Sequence, residues 1–146
     1  MTDKANVYEL VPLISEQIKN GGAFMFRPRG ISMEPTVYED DTVTLVSADS
    51  INKYDIVLYR RSEKEYVLHR IIKIDGQKLT MLGDNQYFPE YGITKSDVIA
   101  KVESFVHNGI EERKIRTVRI RLRTHLRYIR YALARIHGII KNKRSS

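Results

Sequence analysis

Apolar residues near the amino terminus recur at the spacing of an α-helix. They face one side of a helix with 3.6 residues per turn, and two glycines follow them. The residues of this stripe are Val7, Leu10, Val11, Ile14 and Ile18, and the glycines are Gly21 and Gly22. The pattern predicts an amphipathic helix over residues 5–20, with its apolar face packed on the rest of the domain.

Beyond this helix, short apolar runs separated by polar turns are typical of β-strands. Asp75-Gly76 joins two such runs and is a strong signal for a hairpin. The predicted strands cover residues 24–29, 42–46, 55–60, 66–72, 78–81 and 98–106. We therefore expect a mainly β fold, in which a coiled antiparallel sheet or partial barrel accompanies the N-terminal amphipathic helix and a basic C-terminal helix.

The positive charge of the chain is concentrated at its carboxyl end. Residues 111–146 hold twelve of the 25 basic residues and two of the 18 acidic ones, so residues 1–110 carry 13 basic and 16 acidic residues. Apolar residues in the same segment step by three or four: Ile115, Val118, Leu122, Leu126, Ile129, Leu133, Ile136 and Ile140. We predict one folded domain over residues 1–110 and a basic amphipathic tail, mostly helical, over residues 111–146.

Three partners fit this tail. An anionic membrane surface, contacted through residues 113–144, would use both the apolar stripe and the arginines. Docking on the body of the protein would use the stripe alone, and a nucleic acid would use the arginines alone. We favour the membrane surface and place nucleic acid last.

The run from Gly30 to Thr36 carries the first candidate for chemistry. Ser32 stands in a turn in which Gly30 allows close approach of the backbone and Pro35 limits the conformations of the exit. With Met33 beside it, the turn could present the Ser32 hydroxyl and direct backbone N–H groups at an oxyanion and a substrate. A serine in such a turn is often only structural, so a catalytic role requires a base.

His69 is the candidate base, within a predicted strand that places it on the same face as Val67 and Ile71. An apolar surrounding favours the neutral imidazole that a general base requires. The alternative is a core histidine with no catalytic role. Two carboxylates, Asp84 in the turn Leu82–Asn85 and Glu90 shortly after it, could each orient the imidazole, and the sequence leaves that choice open.

In their order along the chain, these motifs resemble the type I signal peptidase family. Ser-Met-x-Pro at residues 32–35, His-Arg at 69–70 and Leu-Gly-Asp-Asn at 82–85 carry the resemblance, which runs from about Phe24 to Val106. More broadly, the chain is similar to the clan shared with the LexA-like self-cleaving repressors. The resemblance implies that Ser32 is the nucleophile. Because most bacterial members have a lysine where this chain has His69, it also implies the Ser-His subtype.

The resemblance implies a serine endopeptidase that cleaves a peptide or precursor protein after small residues, with no metal and no cofactor. The alternatives are a LexA-like self-cleaving regulator and a non-catalytic binding module whose basic tail binds nucleic acid or membrane. The chain has no cysteine, which excludes disulfides and thiolate metal sites. The chain shows neither a secretory signal pattern nor an apolar run of about 18 residues. We therefore expect it to lack the family's usual transmembrane anchor and to be cytoplasmic or peripherally membrane-associated.

Overall fold

The fold was analysed in a computed structural model that describes residues 7–112, 126, 129–130 and 132–137. Between residues 7 and 112 the chain forms one α-helix, one short 3-10 helix and eight strands. These are α1 (Val7–Lys19), β1 (Phe24–Phe26), β2 (Thr42–Val46), β3 (Ile56–Ser62), β4 (Glu65–Asp75), β5 (Lys78–Leu82), β6 (Glu90–Thr94), the 3-10 helix Lys95–Asp97, β7 (Val98–His107) and β8 (Ile110–Glu112).

The strands form a single antiparallel sheet. Its order is β1-β2-β7-β3-β4-β5-β6, with β8 also paired to β7. The sheet does not close, so β1 and β6 are its two edges. The predicted mainly β fold is therefore confirmed, as an open sheet with short helices.

Helix α1 packs on the sheet as its apolar stripe predicts. Ile14 is fully buried, and Val7, Leu10 and Ile18 contact the same apolar cluster while remaining partly exposed. The helix ends at Lys19, one residue before the end of the predicted range of 5–20, and residues 5 and 6 lie outside the described residues.

The strand predictions hold best where alternation is strong. Asp75 pairs with Lys78 across the predicted hairpin, and Gly76 adopts a φ of +58° in the turn. The strand expected over 24–29 ends at Phe26. Strands β6 and β8 were not predicted, because β6 contains a glycine and exposed residues, and β8 has only three residues.

Two apolar clusters form the core, one on each face of the sheet. Alternate residues of β3 contribute to both clusters, since successive side chains of a strand point to opposite faces. Ile56 and Leu58 belong to the cluster under α1, whereas Val57 and Tyr59 belong to the other. Strand β3 is thereby covered on both sides, which fixes the position of its neighbour β4.

At the carboxyl end, the residues described beyond residue 112 are all helical: 126, 129–130 and 132–137. The rest of the predicted tail lies outside the described residues, and the division at residue 110 stays a prediction. Strand β8 continues the sheet to Glu112. Across the part of the chain that the structure describes, no helix is both long and apolar enough to pass through a bilayer.

Candidate active site

Ser32 lies in the turn that follows β1, and apolar neighbours anchor this turn. Met33 and Val37 are buried in the cluster under α1. The N–H groups of Thr36 and Val37 both donate to the carbonyl oxygen of Met33, at 2.9 and 3.1 Å. Ser32 itself remains partly exposed. The turn therefore combines a fixed backbone with a hydroxyl that a substrate can reach.

The role of Gly30 differs from the sequence-based expectation. A Cβ placed on Gly30 would have no atom within 4 Å, so this glycine does not serve a close approach of the backbone. Its φ of +86° lies instead in the left-handed region, which side chains disfavour. Gly30 is thus explained by the shape of the turn. Pro35 is exposed, and its peptide bond with Glu34 is cis.

His69 reaches the Ser32 hydroxyl from the middle of β4. Its side chain is almost completely buried, and the neighbouring strand places Val57 opposite it. The Nε2 atom lies 3.2 Å from the Oγ atom of Ser32. The structure therefore brings together the alcohol and the imidazole, 37 residues apart in sequence, at hydrogen-bonding distance.

The other nitrogen of His69 contacts both Glu90 and Tyr59. Its Nδ1 lies 3.1 Å from Glu90 Oε1 and 3.1 Å from the Tyr59 hydroxyl, which itself donates to Glu90 Oε2 at 2.8 Å. Because Tyr59 has a single hydroxyl hydrogen and gives it to Glu90, Nδ1 must be the donor in its own contacts. The proton of a neutral His69 is thus on Nδ1, and Nε2 is free to accept from Ser32.

Glu90 remains a carboxylate in this setting. Burial alone would raise its pKa, but hydrogen bonds from His69, Arg61 and Tyr59 lower the pKa to about 2. Arg61 donates through Nε at 2.9 Å to Oε2 and through a second nitrogen to Oε1. Burial and the charge of Glu90 raise the pKa of Tyr59, which keeps its hydroxyl protonated. The cluster of Tyr59, Arg61 and Glu90 therefore holds a fixed negative charge behind the imidazole.

Asp84 lies in a different cluster. Its two oxygens accept from Arg70 at 2.7 and 2.6 Å, and one of them also accepts from the Thr36 hydroxyl at 2.5 Å. Arg70 is fully buried and donates in addition to the carbonyl oxygen of Tyr54 at 2.8 Å. Of the two carboxylates left open by the sequence, the structure places Glu90 against the histidine and Asp84 against the nucleophile turn.

The residues on either side of Asp84 hold the Ser32 turn directly. The N–H of Asn85 donates to the carbonyl oxygen of Ser32 at 2.8 Å, and its side-chain amide donates to the carbonyl oxygen of Ile31 at 3.1 Å. A Cβ on Gly83 would come within 2.7 Å of that Ser32 oxygen. Gly83 is therefore the glycine that permits close approach, and the Gly83–Asn85 turn fixes the backbone of Ser32.

Several of these residues were not found by sequence reasoning: Thr36, Tyr59, Arg61 and Arg70. Tyr59 and Arg61 are alternate residues of β3. Val57 lies directly opposite His69, and Tyr59 lies directly opposite Val67, so Tyr59 is the diagonal neighbour of His69. This register is not visible in sequence. Arg70 had a signal in its position next to His69, since a charge inside an apolar run needs a buried partner.

An apolar cavity of about 90 Å³ opens beside Ser32. Its walls include Phe26 of the edge strand β1, Leu58 and Leu68 of the sheet, and Val37 of the nucleophile turn. A water molecule takes up about 30 Å³ of liquid, so the cavity has room for a group of a few heavy atoms.

The described site thus pairs a serine hydroxyl with a buried histidine whose other ring nitrogen faces a carboxylate. Among the described residues, no group of three or more His, Asp or Glu side chains is arranged to hold a metal ion. The chain has no match among curated proteins. A family model described as Peptidase S24-like matches residues 2–103, which include Ser32, His69, Asp84 and Glu90. The chain therefore belongs to the Peptidase S24-like family of serine peptidases, within the clan of the LexA-type repressors and the signal peptidases.

Proposed function

We propose that this protein is a serine endopeptidase of the signal peptidase type, which cleaves peptides or precursor proteins after small residues. Membership of the Peptidase S24-like family supports a serine peptidase in general. The observation that carries the finer proposal is the Ser32–His69 contact of 3.2 Å beside a small apolar cavity. The same pair is what the resemblance to the Ser-His subtype of the signal peptidases implies.

In the proposed mechanism, His69 acts as the base and then as the acid. Nε2 takes the Ser32 proton as Oγ attacks the scissile carbonyl carbon, and the resulting imidazolium returns that proton to the leaving amine. Water then attacks the acyl-enzyme with the same help from His69. Glu90 stabilises the imidazolium and, with Tyr59, holds Nδ1 in place.

Substrate binding is proposed along the edge strand β1, which leads into the Ser32 turn. An extended peptide can add to such an edge through main-chain hydrogen bonds, while side-chain pockets provide selectivity. The cavity beside Ser32 would accept a small apolar side chain next to the scissile bond. Backbone N–H groups of the turn containing Ser32 and Met33 would bind the oxyanion, an interaction typically worth a hundredfold or more in rate.

The first test is cleavage of a peptide library with alanine, leucine and phenylalanine at the position before the scissile bond. We expect cleavage after alanine, and loss of about 10³-fold or more in kcat for Ser32→Ala and for His69→Ala, because both groups take part in the proton transfer. Ser50→Ala and His137→Ala are matched controls, since both residues are exposed and lie outside the site.

Mass spectrometry of the intact chain distinguishes the alternatives. A first-order, concentration-independent loss of the intact mass without peptide cleavage would replace the proposal with self-cleavage of the LexA-like type. Equal turnover by the protein and by Ser32→Ala would exclude the mechanism. If the folded protein neither cleaved the peptides nor lost its intact mass, the non-catalytic binding module would be indicated.

A further inference from the structure

The helical residues described at the carboxyl end expose an apolar stripe. Leu126, Ile129, Leu133 and Ile136 are each helical, and their steps of three, four and three residues are the spacing of positions on one side of an α-helix. At about 100° per residue, they lie within an arc of roughly 80°. Their exposed fractions are 51, 43, 60 and 53%, which is unusual for four aligned aliphatic side chains.

Helix α1 shows what happens to a similar stripe when the body of the protein covers it. Ile14 has no exposed surface, and Val7, Leu10 and Ile18 pack on the core beside it. The described residues of the tail have the same kind of spacing, but their stripe remains open to solvent. The body of the protein therefore does not cover these four described side chains.

The charge of the tail indicates what covers the stripe. Residues 111–146 carry twelve basic and two acidic residues, whereas residues 1–110 carry more acidic than basic ones. Arg130 and Arg135 are both exposed, and Arg130 lies one residue after Ile129 at the border of the stripe. A partner must therefore offer negative charge and apolar material on the same surface.

We propose that the carboxyl-terminal helix binds the surface of an anionic lipid bilayer and lies in its plane. Leucine and isoleucine side chains would enter the boundary between headgroups and acyl chains, while arginines contact the anionic headgroups. A nucleic acid would satisfy the arginines and leave four aliphatic side chains in water. A second copy of the helix would cover the stripe but bring two strongly basic segments together.

The test measures sedimentation of the full-length protein with vesicles of 70% phosphatidylcholine and 30% phosphatidylglycerol, and with vesicles of phosphatidylcholine alone. We expect binding to the anionic vesicles that is at least tenfold tighter and that weakens as salt is raised. Leu133→Glu should weaken it by about tenfold or more, because a charge replaces a buried aliphatic group. Arg130→Gln combined with Arg135→Gln should weaken it severalfold.

Leu13→Glu is the matched control, since Leu13 is also an exposed leucine on a helix, at 55% exposure. It should bind vesicles as the unchanged protein does. Unchanged binding by Leu133→Glu, or equal binding to both kinds of vesicle, would overturn the proposal. So would a dimer in analytical ultracentrifugation that Leu133→Glu dissociates, or tight binding of a DNA duplex by a protein that does not bind vesicles.

The membrane-binding proposal does not depend on the peptidase proposal, so an experiment can contradict either one without contradicting the other. Leu133→Glu should cleave a soluble peptide at the unchanged rate, since Leu133 is not part of the Ser32–His69 site. Ser32→Ala should bind anionic vesicles with unchanged affinity.

Discussion

Two arginine–carboxylate pairs with nearly the same chemistry lie on opposite sides of the Ser32–His69 contact. Arg70 and Asp84 form a buried pair that binds Thr36 of the nucleophile turn. Arg61 and Glu90 form a partly exposed pair that contacts Nδ1 of His69. One pair is attached to the backbone that carries the alcohol, and the other to the imidazole.

The two carboxylates differ in the groups that they face. Both oxygens of Asp84 accept from Arg70, and one also accepts from Thr36, within an almost fully buried cluster. Each oxygen of Glu90 accepts from Arg61, and one of them also faces a ring nitrogen whose charge would change during the proposed reaction. A carboxylate near a catalytic histidine thus has either a structural or an electrostatic role, according to which group it faces.

The largest expected effect is on turnover in Glu90→Gln. Replacing the carboxylate by an amide removes the charge that stabilises the imidazolium, so we expect kcat for peptide cleavage to fall by about 10³-fold. The unfolding temperature at neutral pH should change by only a few degrees, since Arg61 and Glu90 are partly exposed and water can solvate the guanidinium. Steady-state kinetics and thermal unfolding of the same samples check both statements.

Tyr59→Phe is the control for this variant. It removes one hydroxyl from the same cluster and leaves the contact between Glu90 and His69, so we expect a loss of only about tenfold. If Glu90→Gln and Tyr59→Phe had the same small effect on kcat, Glu90 would not be the orienting group.

The next largest effect is on stability in Asp84→Ala. It leaves the buried guanidinium of Arg70 without its carboxylate, which typically costs about 3–5 kcal/mol in the free energy of unfolding. Denaturant unfolding measures this cost directly. The double variant Asp84→Leu with Arg70→Met should recover much of it, because no uncompensated charge then remains in the core.

Peptide cleavage by the Asp84 and Arg70 variants distinguishes a structural role of Asp84 from a direct role in catalysis. We expect the double variant to be folded but slow, since the Ser32 turn loses its contact through Thr36. An Asp84→Asn protein as stable as the unchanged one, but with no turnover, would instead give Asp84 a direct role in catalysis.

The smallest effect is the acid dependence of stability that comes from Glu90. Its pKa is lowered to about 2 in the folded protein, against about 4.3 for an unfolded glutamate. The carboxylate therefore stabilises the fold above about pH 4.3, and this contribution is lost as the pH falls toward 2. The difference in unfolding temperature between the protein and Glu90→Gln should be largest at neutral pH and should narrow below about pH 4. A difference that stays constant to pH 3 would contradict this linkage.

Much of the fold could be predicted from sequence because its signals are local. The stripe of α1 and the turn at Asp75-Gly76 each depend on neighbours a few residues away, and both agree with the structure. Strand β6 could not be predicted in this way. Gly92 interrupts its alternation, and its position depends on pairing with β5, in which Leu79 faces Ile93.

The site was only partly predictable for a related reason. Ser32 and His69 were selected by residue type and order along the chain, and the structure brings them together. The choice between Asp84 and Glu90 depends on strand register. Only five residues separate the two carboxylates in sequence, yet Asp84 binds Arg70 and Glu90 binds Arg61. Tyr59 was missed since a buried tyrosine on a central strand looks like ordinary core until its hydroxyl partner is known.

The bonds from Asn85 to the Ser32 turn have a consequence for biosynthesis. Asn85 and Ile31 are 54 residues apart, so a nascent chain has made its nucleophile long before it makes the segment that holds it. A ribosome-bound chain that ends before Gly83 lacks the restraints on Ser32, and it lacks Glu90 as well. Under the proposed mechanism, proteolytic competence would therefore wait until residues 83–90 have been translated.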